Sequence, residues 1–474
     1  ELAWRHLTIL LASRNFLDEI KFWLKPILLR LKAFYLLKIK YTQRYDDTNI
    51  QSQGIICLAL TPRMYFEVLA PIVEHLAVKK NQRIMVLTWD DAIKDVLLKH
   101  VNITYRSIWS FWDEDCKKIY WSLAKSYKSL WCELRGQRIV IENLDVALDF
   151  SSSQLRQLFR LLFKGYIPAT LHQAAIATAI FKNYKPSMVI SSDVSDARVR
   201  LYSLMAKSLN IPTFDVQFGL TGDEAIEWCF FQSDYVATWG AASEQSLIKL
   251  GVEKEKIVKH GSPRHDILVN VSPKRVAALK QQFGLDPSHK IILLASTFTE
   301  PVHNQYASRE TLDNMKSSVF NSISDLDNVT MIVKPHPHED VKATQNLKPD
   351  DGRIIFIDKG EDIRHLILVC DVFISFGSTA TIDALIANKP CICPAFPDWP
   401  FSAEFEKTEA VSSPKDDYDL KQVILYLFNA QDRQSELTAT SIENLITEVT
   451  ENYQGDAAAK ISQSILNQLE NSHA

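Results

Sequence analysis

The 474-residue sequence lacks several features that would assign a protein to a class directly. It has no uninterrupted apolar run of about 18 residues, so we expect no membrane-spanning helix, and no secretory signal peptide is apparent. Its formal net charge is −4, so no overall basic charge favours a nucleic-acid partner. Seven cysteines are too few for a disulfide scaffold, and they lack the paired spacing of a structural zinc site. Reduced thiols in a cytoplasmic protein are the expected state.

Residues 1–41 are predicted to form an N-terminal amphipathic helical segment with a break or kink at Pro26. The segment is rich in Leu and aromatic residues and carries eight basic residues against three acidic ones. Such a segment suits peripheral binding to an anionic membrane surface. The other interpretation is a helix that packs on its own protein and keeps its basic side chains in solvent.

From residue 54 onward, short apolar runs alternate with helical stretches, as in parallel sheets covered by helices on both faces. The first set of predicted strands comprises 54–60, 83–89, 138–144, 187–193, 211–219 and 234–240. The second set comprises 291–297, 329–337, 353–358, 371–379 and 390–396. Two successive sets predict an α/β protein with two Rossmann-like domains and a deep cleft between them. We place the domains at 42–258 and 259–440, with a C-terminal helix at 441–474.

Four tryptophans lie in the stretch 105–131 of the first predicted domain. We interpret them as core and lid packing, with sugar stacking as the less favoured role. They are Trp109, Trp112, Trp121 and Trp131.

Ligands of open parallel sheets bind beyond the carboxyl ends of the strands, so the residues that follow each strand are the candidates for a site. The predicted strand VTMIVK is followed by the loop 335–339, with the sequence PHPHE. Two prolines stiffen this loop and present His336 as a donor to a phosphate or ribose oxygen. A surface histidine in a rigid turn is the alternative. No carboxylate cluster accompanies His336 and His338, so no metal site is predicted.

A second candidate loop joins the strand DVFIS to a helix that begins at about residue 380. Gly377, the hydroxyls of Ser378 and Thr379, and the free N–H groups of the helix start would meet where an anion sits. A plain N-cap explains the same residues. Asp383, one turn into the helix, is placed to accept hydrogen bonds from ribose hydroxyls.

A third candidate is Arg264, in the sequence HGSPRHD at 260–266 between the two predicted domains. Its guanidinium would reach the cleft, where its charge and fork geometry suit a phosphate oxygen. A structural interdomain arginine is the alternative interpretation.

These motifs, in this order, resemble those of nucleotide-sugar glycosyltransferases of the GT-B fold. The segment KPHPHE with the later SFGST resembles motifs of bacterial sialyltransferases and capsule Kdo transferases, which use CMP-sugars. The segments GSPRHD and SFGSTATIDALIANKP also resemble those of the CDP-glycerol glycerophosphotransferases of teichoic-acid synthesis and of the UDP-GlcNAc 2-epimerases. The likeness covers roughly 185–400.

The resemblance implies that His336 and Pro337 hold a cytidylate moiety. It also implies that Ser378 and Thr379 bind the phosphate of that moiety, with Asp383 near the ribose. One departure is the segment QFG at 217–219, where several relatives have Gln-His-Gly. The missing histidine argues against a simple transfer of the epimerase or glycerophosphotransferase mechanism.

The catalytic group is expected to be a carboxylate at a strand end of the first domain. Asp193, which ends the segment SMVISSD, is the first choice, and Asp196 is the second. Either could deprotonate an acceptor hydroxyl or attack the anomeric carbon. A helix N-cap is the alternative interpretation of Asp193. Four further candidates follow other predicted strands: Asp90, Asp91, Asp223 and Glu224.

The sequence therefore predicts a metal-independent glycosyltransferase that moves Kdo or sialic acid from a CMP donor to a surface polysaccharide or lipid-linked glycan. The donor is a substrate, and no separate cofactor is expected. The expected location is the cytoplasm, at the inner face of the cytoplasmic membrane if residues 1–41 bind lipid. The alternatives are a CDP-polyol phosphotransferase, an isomerase similar to UDP-sugar 2-epimerases, and a non-catalytic nucleotide-binding lobe of a capsule assembly machine.

Overall fold

Two parallel β-sheets with helices on both faces form the core of the protein, as seen in a computed structural model. The structure describes residues 54–60, 63–88, 93, 99–134, 162–192, 196–220, 228–229, 231–298, 308–397, 399–429 and 436–473. The predicted helix at 1–41 and the predicted strand at 138–144 lie outside these residues.

Within the described residues, the first sheet contains seven strands in the order β3-β2-β1-β4-β5-β6-β7, and every neighbouring pair is parallel. Its strands are β1 (Ile55–Ala59), β2 (Ile84–Thr88), β3 (Ile103–Ser107), β4 (Met188–Ser192), β5 (Thr213–Val216), β6 (Tyr235–Thr238) and β7 (Ile257–Lys259).

In the described part of the chain, the second sheet contains five parallel strands in the order β10-β9-β8-β11-β12. Its strands are β8 (Lys290–Ala295), β9 (Val329–Lys334), β10 (Ile354–Phe356), β11 (Val372–Ser375) and β12 (Cys391–Ile392). The central strand β8 lies between β9 and β11, so the loops after these three strands share one edge.

Helices connect the strands of both sheets and cover their faces. The described α-helices are α1 (Arg63–Glu74), α2 (Glu114–Leu134), α3 (Ile167–Tyr184), α4 (Ala197–Ser208), α5 (Ala241–Lys249), α6 (Pro273–Gln282), α7 (Arg309–Asn321), α8 (Val341–Gln345), α9 (Ile363–Val369), α10 (Ala380–Ile386), α11 (Ala403–Glu406), α12 (Asp417–Asn429), α13 (Glu436–Val449) and α14 (Ala457–His473). A 3₁₀ turn, Pro263–Leu268, lies between the two sheets in the chain.

Each sheet is buried on both faces, because successive residues of its strands enter different hydrophobic cores. In β1, Ile55 and Cys57 face one core, whereas Ile56 and Leu58 face another. In β8, alternate residues divide in the same way between two further cores. Side chains alternate along a strand, so a continuous apolar run fills both faces of a covered sheet. The predicted α/β class is therefore confirmed.

Two described strands were not among those predicted, and both lie at edges of the first sheet. The strand β3 alternates buried and exposed residues, and β7 is only partly buried along its length. Neither edge strand has the continuous apolar run on which the prediction depended.

The C-terminal region forms two helices where the sequence predicted one at 441–474. The helix α13 packs on the core of the second sheet, whereas α14 crosses back to the core of the first. Between them, Gly455 has a φ of +90°. The carboxylate of Asp266 accepts hydrogen bonds from the N–H groups of Ala457 (3.1 Å) and Ala458 (2.9 Å), which caps the start of α14. This capping interaction is tertiary, which explains why the break was not predicted.

The cysteines and the tryptophans of the stretch 105–131 differ in how far they are buried. All seven cysteines are free, and five of them are buried, including Cys391 and Cys393. Trp109 is buried, whereas Trp121 is 68% exposed on α2, so the prediction of packing is wrong for Trp121. Among the described residues, no helix combines the length and the apolar character needed to cross a membrane.

Candidate functional site

The candidate site lies at the carboxyl edge of the second sheet, where β9, β8 and β11 end side by side. The loop 335–339 follows β9, the segment 296–298 follows β8, and the loop 376–379 follows β11. Adjacent parallel strands place their following loops together, so the sheet brings the two predicted binding loops to one edge.

His336 lies in a tight turn in which a backbone N–H contacts one of its ring nitrogens. The backbone N–H of Glu339 donates to the His336 carbonyl at 2.9 Å and closes the turn. The backbone N–H of His338 donates to Nδ1 of His336 at 3.2 Å. Since Nδ1 accepts, we assign the proton of the neutral ring to Nε2. The ring also lies 4.6 Å from that of Phe298, centre to centre.

The side chain of Glu339 stabilises this turn by hydrogen bonding, a role that the sequence analysis did not assign to it. Its Oε2 accepts from the backbone N–H of His336 at 2.9 Å. Its Oε1 accepts from Lys316 Nζ at 2.6 Å, in a pair whose side chains are 3% (Lys316) and 2% (Glu339) exposed. Nothing in the spacing of the sequence connects Lys316 on α7 with Glu339, so no local signal could have revealed the pair.

The loop after β11 takes the conformation that its glycine permits. Gly377 has a φ of +92°, in the left-handed region that favours glycine. Ser378 is half-buried, and its Oγ accepts from the N–H of Ala380 at 3.2 Å, while Thr379 is exposed. Ser378 thus holds the first N–H of α10, whereas the N-cap residue Thr379 makes no side-chain cap, and phosphate binding at this loop stays a prediction.

Arg264 and Asp383, predicted as separate ligands of the nucleotide, pair with each other. Arg264 Nη2 lies 2.5 Å from Asp383 Oδ2, and the Asp383 side chain is only 1% exposed. The Arg264 guanidinium also lies 6.0 Å from the ring centre of Phe218 and 5.9 Å from that of Trp239. Phe218 and Trp239 follow strands of the first sheet, so Arg264 joins the two halves of the protein.

Electrostatics keep Asp383 ionised at this junction. Burial raises the pKa of its carboxyl, but Arg264, His265 and Arg364 outweigh that effect and hold the pKa below its usual value. The ring of His265 is completely buried, with Nε2 at 3.2 Å from Asp383 Oδ1. Burial lowers the pKa of His265 below 6.5 although Asp383 opposes the shift, so His265 is neutral at pH 7.

A second ion pair connects the lobes beside the first. Arg364 at the start of α9 is held by Asp362, and its Nη2 also lies 3.2 Å from Glu67 Oε2 on α1. Sequence reasoning missed this pair, because 297 residues separate Arg364 from Glu67.

Two polar side chains at the first sheet's carboxyl edge, Asp196 and Gln217, bond within the protein. Asp196 caps α4 through the N–H of Arg198 at 2.8 Å, and the Arg198 guanidinium contacts both carboxylate oxygens. Gln217 Nε2 donates to Ser243 Oγ at 2.8 Å, and Gln217 Oε1 accepts from the N–H of Trp239 at 2.9 Å.

The remaining predicted catalytic carboxylates lie outside the described residues. They are Asp193, the first choice, together with Asp90, Asp91, Asp223 and Glu224. Among the described residues, no group of three or more His, Cys, Asp or Glu side chains could hold a metal ion.

One known protein family is similar to the part of the chain that contains the candidate binding residues. The profile of a family described as CDP-Glycerol:Poly(glycerophosphate) glycerophosphotransferase matches residues 243–406. That segment resembles this family. It contains Arg264, His336, Ser378, Thr379 and Asp383. A search of curated proteins found no match.

Three similar solved structures share the two-sheet architecture. A wall teichoic acid polymerase TagF has a TM-score of 0.58 at 14% identity, covering 95% of this chain and 98% of that chain. A co-structure of MnaA from S. aureus with UDP has a TM-score of 0.53 at 14% identity, covering 89% and 97%. A putative UDP-N-acetylglucosamine 2-epimerase from Listeria monocytogenes has a TM-score of 0.54 at 12% identity, covering 89% and 97%. At these identities the likeness shows the fold, which agrees with the predicted GT-B type.

Proposed function

We propose that the protein is a transferase that uses a cytidine-nucleotide donor and binds it at the carboxyl edge of the second sheet. The observation that carries this proposal is the clamped His336 turn, which lies in the segment similar to the glycerophosphotransferase family. An imidazole with its proton on Nε2 is a donor suited to a phosphate or ribose oxygen.

The proposed contacts with the donor come from two loops. His336 and Pro337 would lie against the cytidylate moiety, and the Gly377–Thr379 loop would face a phosphate. Arg264 would add positive charge near the leaving nucleotide, which favours its departure. Because Asp383 is buried against Arg264, we propose that it orients this guanidinium rather than binding ribose directly.

The first candidate reaction is transfer of a polyol phosphate from a CDP-polyol. An acceptor hydroxyl oxygen would form a bond to the distal phosphorus, the pyrophosphate bond to CMP would break, and the acceptor proton would pass to a base. The family match over 243–406 supports this candidate.

The second candidate is transfer of an acidic sugar, Kdo or sialic acid, from its CMP donor. Here the acceptor oxygen would bond to the anomeric carbon and CMP would leave. Phe218 favours this candidate, because it occupies the position at which several relatives of the first candidate's type carry a histidine, and it contacts Arg264. Both reactions release CMP, so they share the nucleotide site.

Asp193 is the proposed base or nucleophile, because it follows β4 directly in the sequence. Asp196 is the weaker choice, since both of its oxygens are already held by Arg198. Asp193→Ala should abolish turnover and spare nucleotide affinity, which separates chemistry from binding. Near-normal turnover would move the role to one of the other carboxylates.

A thermal-shift panel of CMP, CDP, UMP, UDP and GDP tests the nucleotide. A ligand at about a hundredfold excess over its dissociation constant stabilises a protein by about 2.7 kcal/mol, so a specific nucleotide gives a clear shift. Cytidine nucleotides should raise the melting temperature more than the others. A shift with UDP alone would favour the isomerase alternative and overturn the proposal.

Acceptor-dependent CMP release, measured with CDP-glycerol and with CMP-sialic acid, separates the two reactions. Binding of CMP without turnover of either donor would favour the non-catalytic alternative.

We further propose that the acceptor is a surface polysaccharide or lipid-linked glycan and that residues 1–41 contact the membrane. Sedimentation with anionic vesicles at rising salt tests that contact, because ionic screening weakens such binding.

A further inference from the structure

We propose that Glu339 is a positioning residue that holds the His336 turn so that the imidazole acts as a neutral donor through Nε2. The inference rests on the proposed nucleotide site and adds which residue positions His336 within it. It makes the ligand group opposite His336 a hydrogen-bond acceptor, such as a phosphate or ribose oxygen, rather than a group that gives up a proton to the ring.

The first observation is a double connection between the ends of the turn. The side chain of Glu339 accepts from the backbone of His336, and the backbone of Glu339 donates to the backbone of His336, both at 2.9 Å. With its ends held together, the turn brings the N–H of His338 to Nδ1 of His336. The tautomer is therefore a consequence of the turn.

The second observation is that three buried side chains donate hydrogen bonds to Glu339. Glu339 Oε1 accepts from Ser296 Oγ at 2.7 Å, from Lys316 Nζ at 2.6 Å and from Thr344 Oγ1 at 2.6 Å. These donors come from the end of β8, from α7 and from α8. Three separate elements thus determine where Glu339 lies, and through it where His336 lies.

The third observation is the burial of the charges. A buried ion pair is weak evidence for stability, because removing two charges from water costs about as much as their attraction returns, and apolar residues of similar size often serve as well. The pair does, however, provide a fixed direction for each hydrogen bond, which an apolar pair cannot. The arrangement therefore suits positioning better than it suits stability alone.

Two double variants of the full-length protein separate these roles. In Lys316→Met with Glu339→Leu, the charges and the acceptor for the His336 N–H are both removed. In Lys316→Met with Glu339→Gln, the charges are removed but the side-chain acceptor is kept. The melting temperature of each shows whether the fold is preserved, and calorimetry with CMP measures affinity.

We expect the Met–Gln variant to bind CMP within about threefold of the unaltered protein, and the Met–Leu variant to bind about tenfold more weakly or worse, because a tenfold change corresponds to about 1.4 kcal/mol. Equal affinity in all three proteins would reduce the pair to a structural role. Equal loss in both variants would show that charge matters rather than the acceptor, and would also overturn the proposal.

The ring nitrogens provide a readout that needs no nucleotide. In ¹⁵N-histidine-labelled protein, the His336 signals, identified by their absence in His336→Gln, should show a proton on Nε2 at pH 7.5. A proton on Nδ1, or a charged ring, would overturn the inference even in a protein that binds CMP. Should CMP fail to bind at all, the proposed function fails while the tautomer still tests the role of Glu339. Thr344→Val, which removes one donor to Oε1, gives a milder perturbation should the Met–Leu variant not fold.

Discussion

The carboxyl edges of the two sheets use buried polar side chains in different ways. At the second sheet, the buried Glu339 supports His336, which itself remains half-exposed at the edge. At the first sheet, Asp196 caps the helix α4, and Gln217 bonds to the backbone of Trp239. The difference supports the proposal that the second edge presents groups to a ligand. On the first edge, Asp196 and Gln217 instead hold a helix start and a neighbouring strand end in place.

The junction between the edges contains Asp383, a buried carboxylate in contact with both Arg264 and His265, and breaking it should have the largest effect. Asp383→Ala leaves Arg264 and its surroundings without their buried carboxylate, so the free energy of unfolding should fall by about 3–5 kcal/mol. Urea denaturation measures the loss. Arg264→Met with Asp383→Leu is the matched control and should be far less destabilised. A single variant no worse than this double would show that the pair does not hold the junction.

The contrast between the edges is tested directly by one variant on each. His336→Ala should weaken CMP binding by about tenfold or more, because a hydrogen bond to a charged group contributes about 1.5–3 kcal/mol. Asp196→Asn should leave CMP affinity unchanged, since its carboxylate serves the helix α4. Calorimetry on folded proteins gives both values. The reverse result would place the nucleotide on the first sheet.

Stability should depend on pH through His265 at the junction. The pKa of His265 is lower in the folded protein than the ordinary 6.5, with burial as the main cause. As the pH falls below 6.5, the unfolded chain takes up a proton that the folded protein refuses, so stability falls until the pH reaches the folded-state pKa. His265→Gln should flatten this part of the melting-temperature profile. A wild-type slope in His265→Gln would assign the effect to another group.

The smallest effect is expected at the Glu67–Arg364 pair between the lobes. Arg364 keeps its contacts with Asp362 when Glu67 is replaced, and Glu67 is partly exposed. Glu67→Gln should therefore lower the free energy of unfolding by about 1 kcal/mol or less. Urea denaturation of Glu67→Gln, of Glu67→Asp and of the unaltered protein measures the difference in the free energy of unfolding. If the free energy of unfolding fell as far as in Asp383→Ala, both ion pairs would contribute equally to the stability of the junction.

Much of the architecture could be predicted because it depends on local patterns. Runs such as IICLA in β1 and IILLA in β8 are apolar at successive positions, which indicates a sheet covered on both faces. The edge strands β3 and β7 and the break between α13 and α14 were missed. Their stability comes from neighbours distant in the sequence, such as Asp266 at the start of α14.

The candidate loops were predictable in position but not in detail. Polar residues after a strand end identify His336 and Ser378 as edge residues, since parallel strands share one carboxyl edge. The partner of each charge was not predictable. Arg264 and Asp383 were each assigned to a ligand, whereas in the fold they contact each other across 119 residues of sequence.

Local patterns in the sequence were enough to predict two covered parallel sheets and the loops at their carboxyl ends, because hydrophobic periodicity and strand-end residues are local properties. Only the packing of distant segments settled which polar groups are buried and which charges pair. Lys316 and Glu339 are drawn together by the packing of α7 against the second sheet, and such a meeting of distant residues leaves no trace in local spacing.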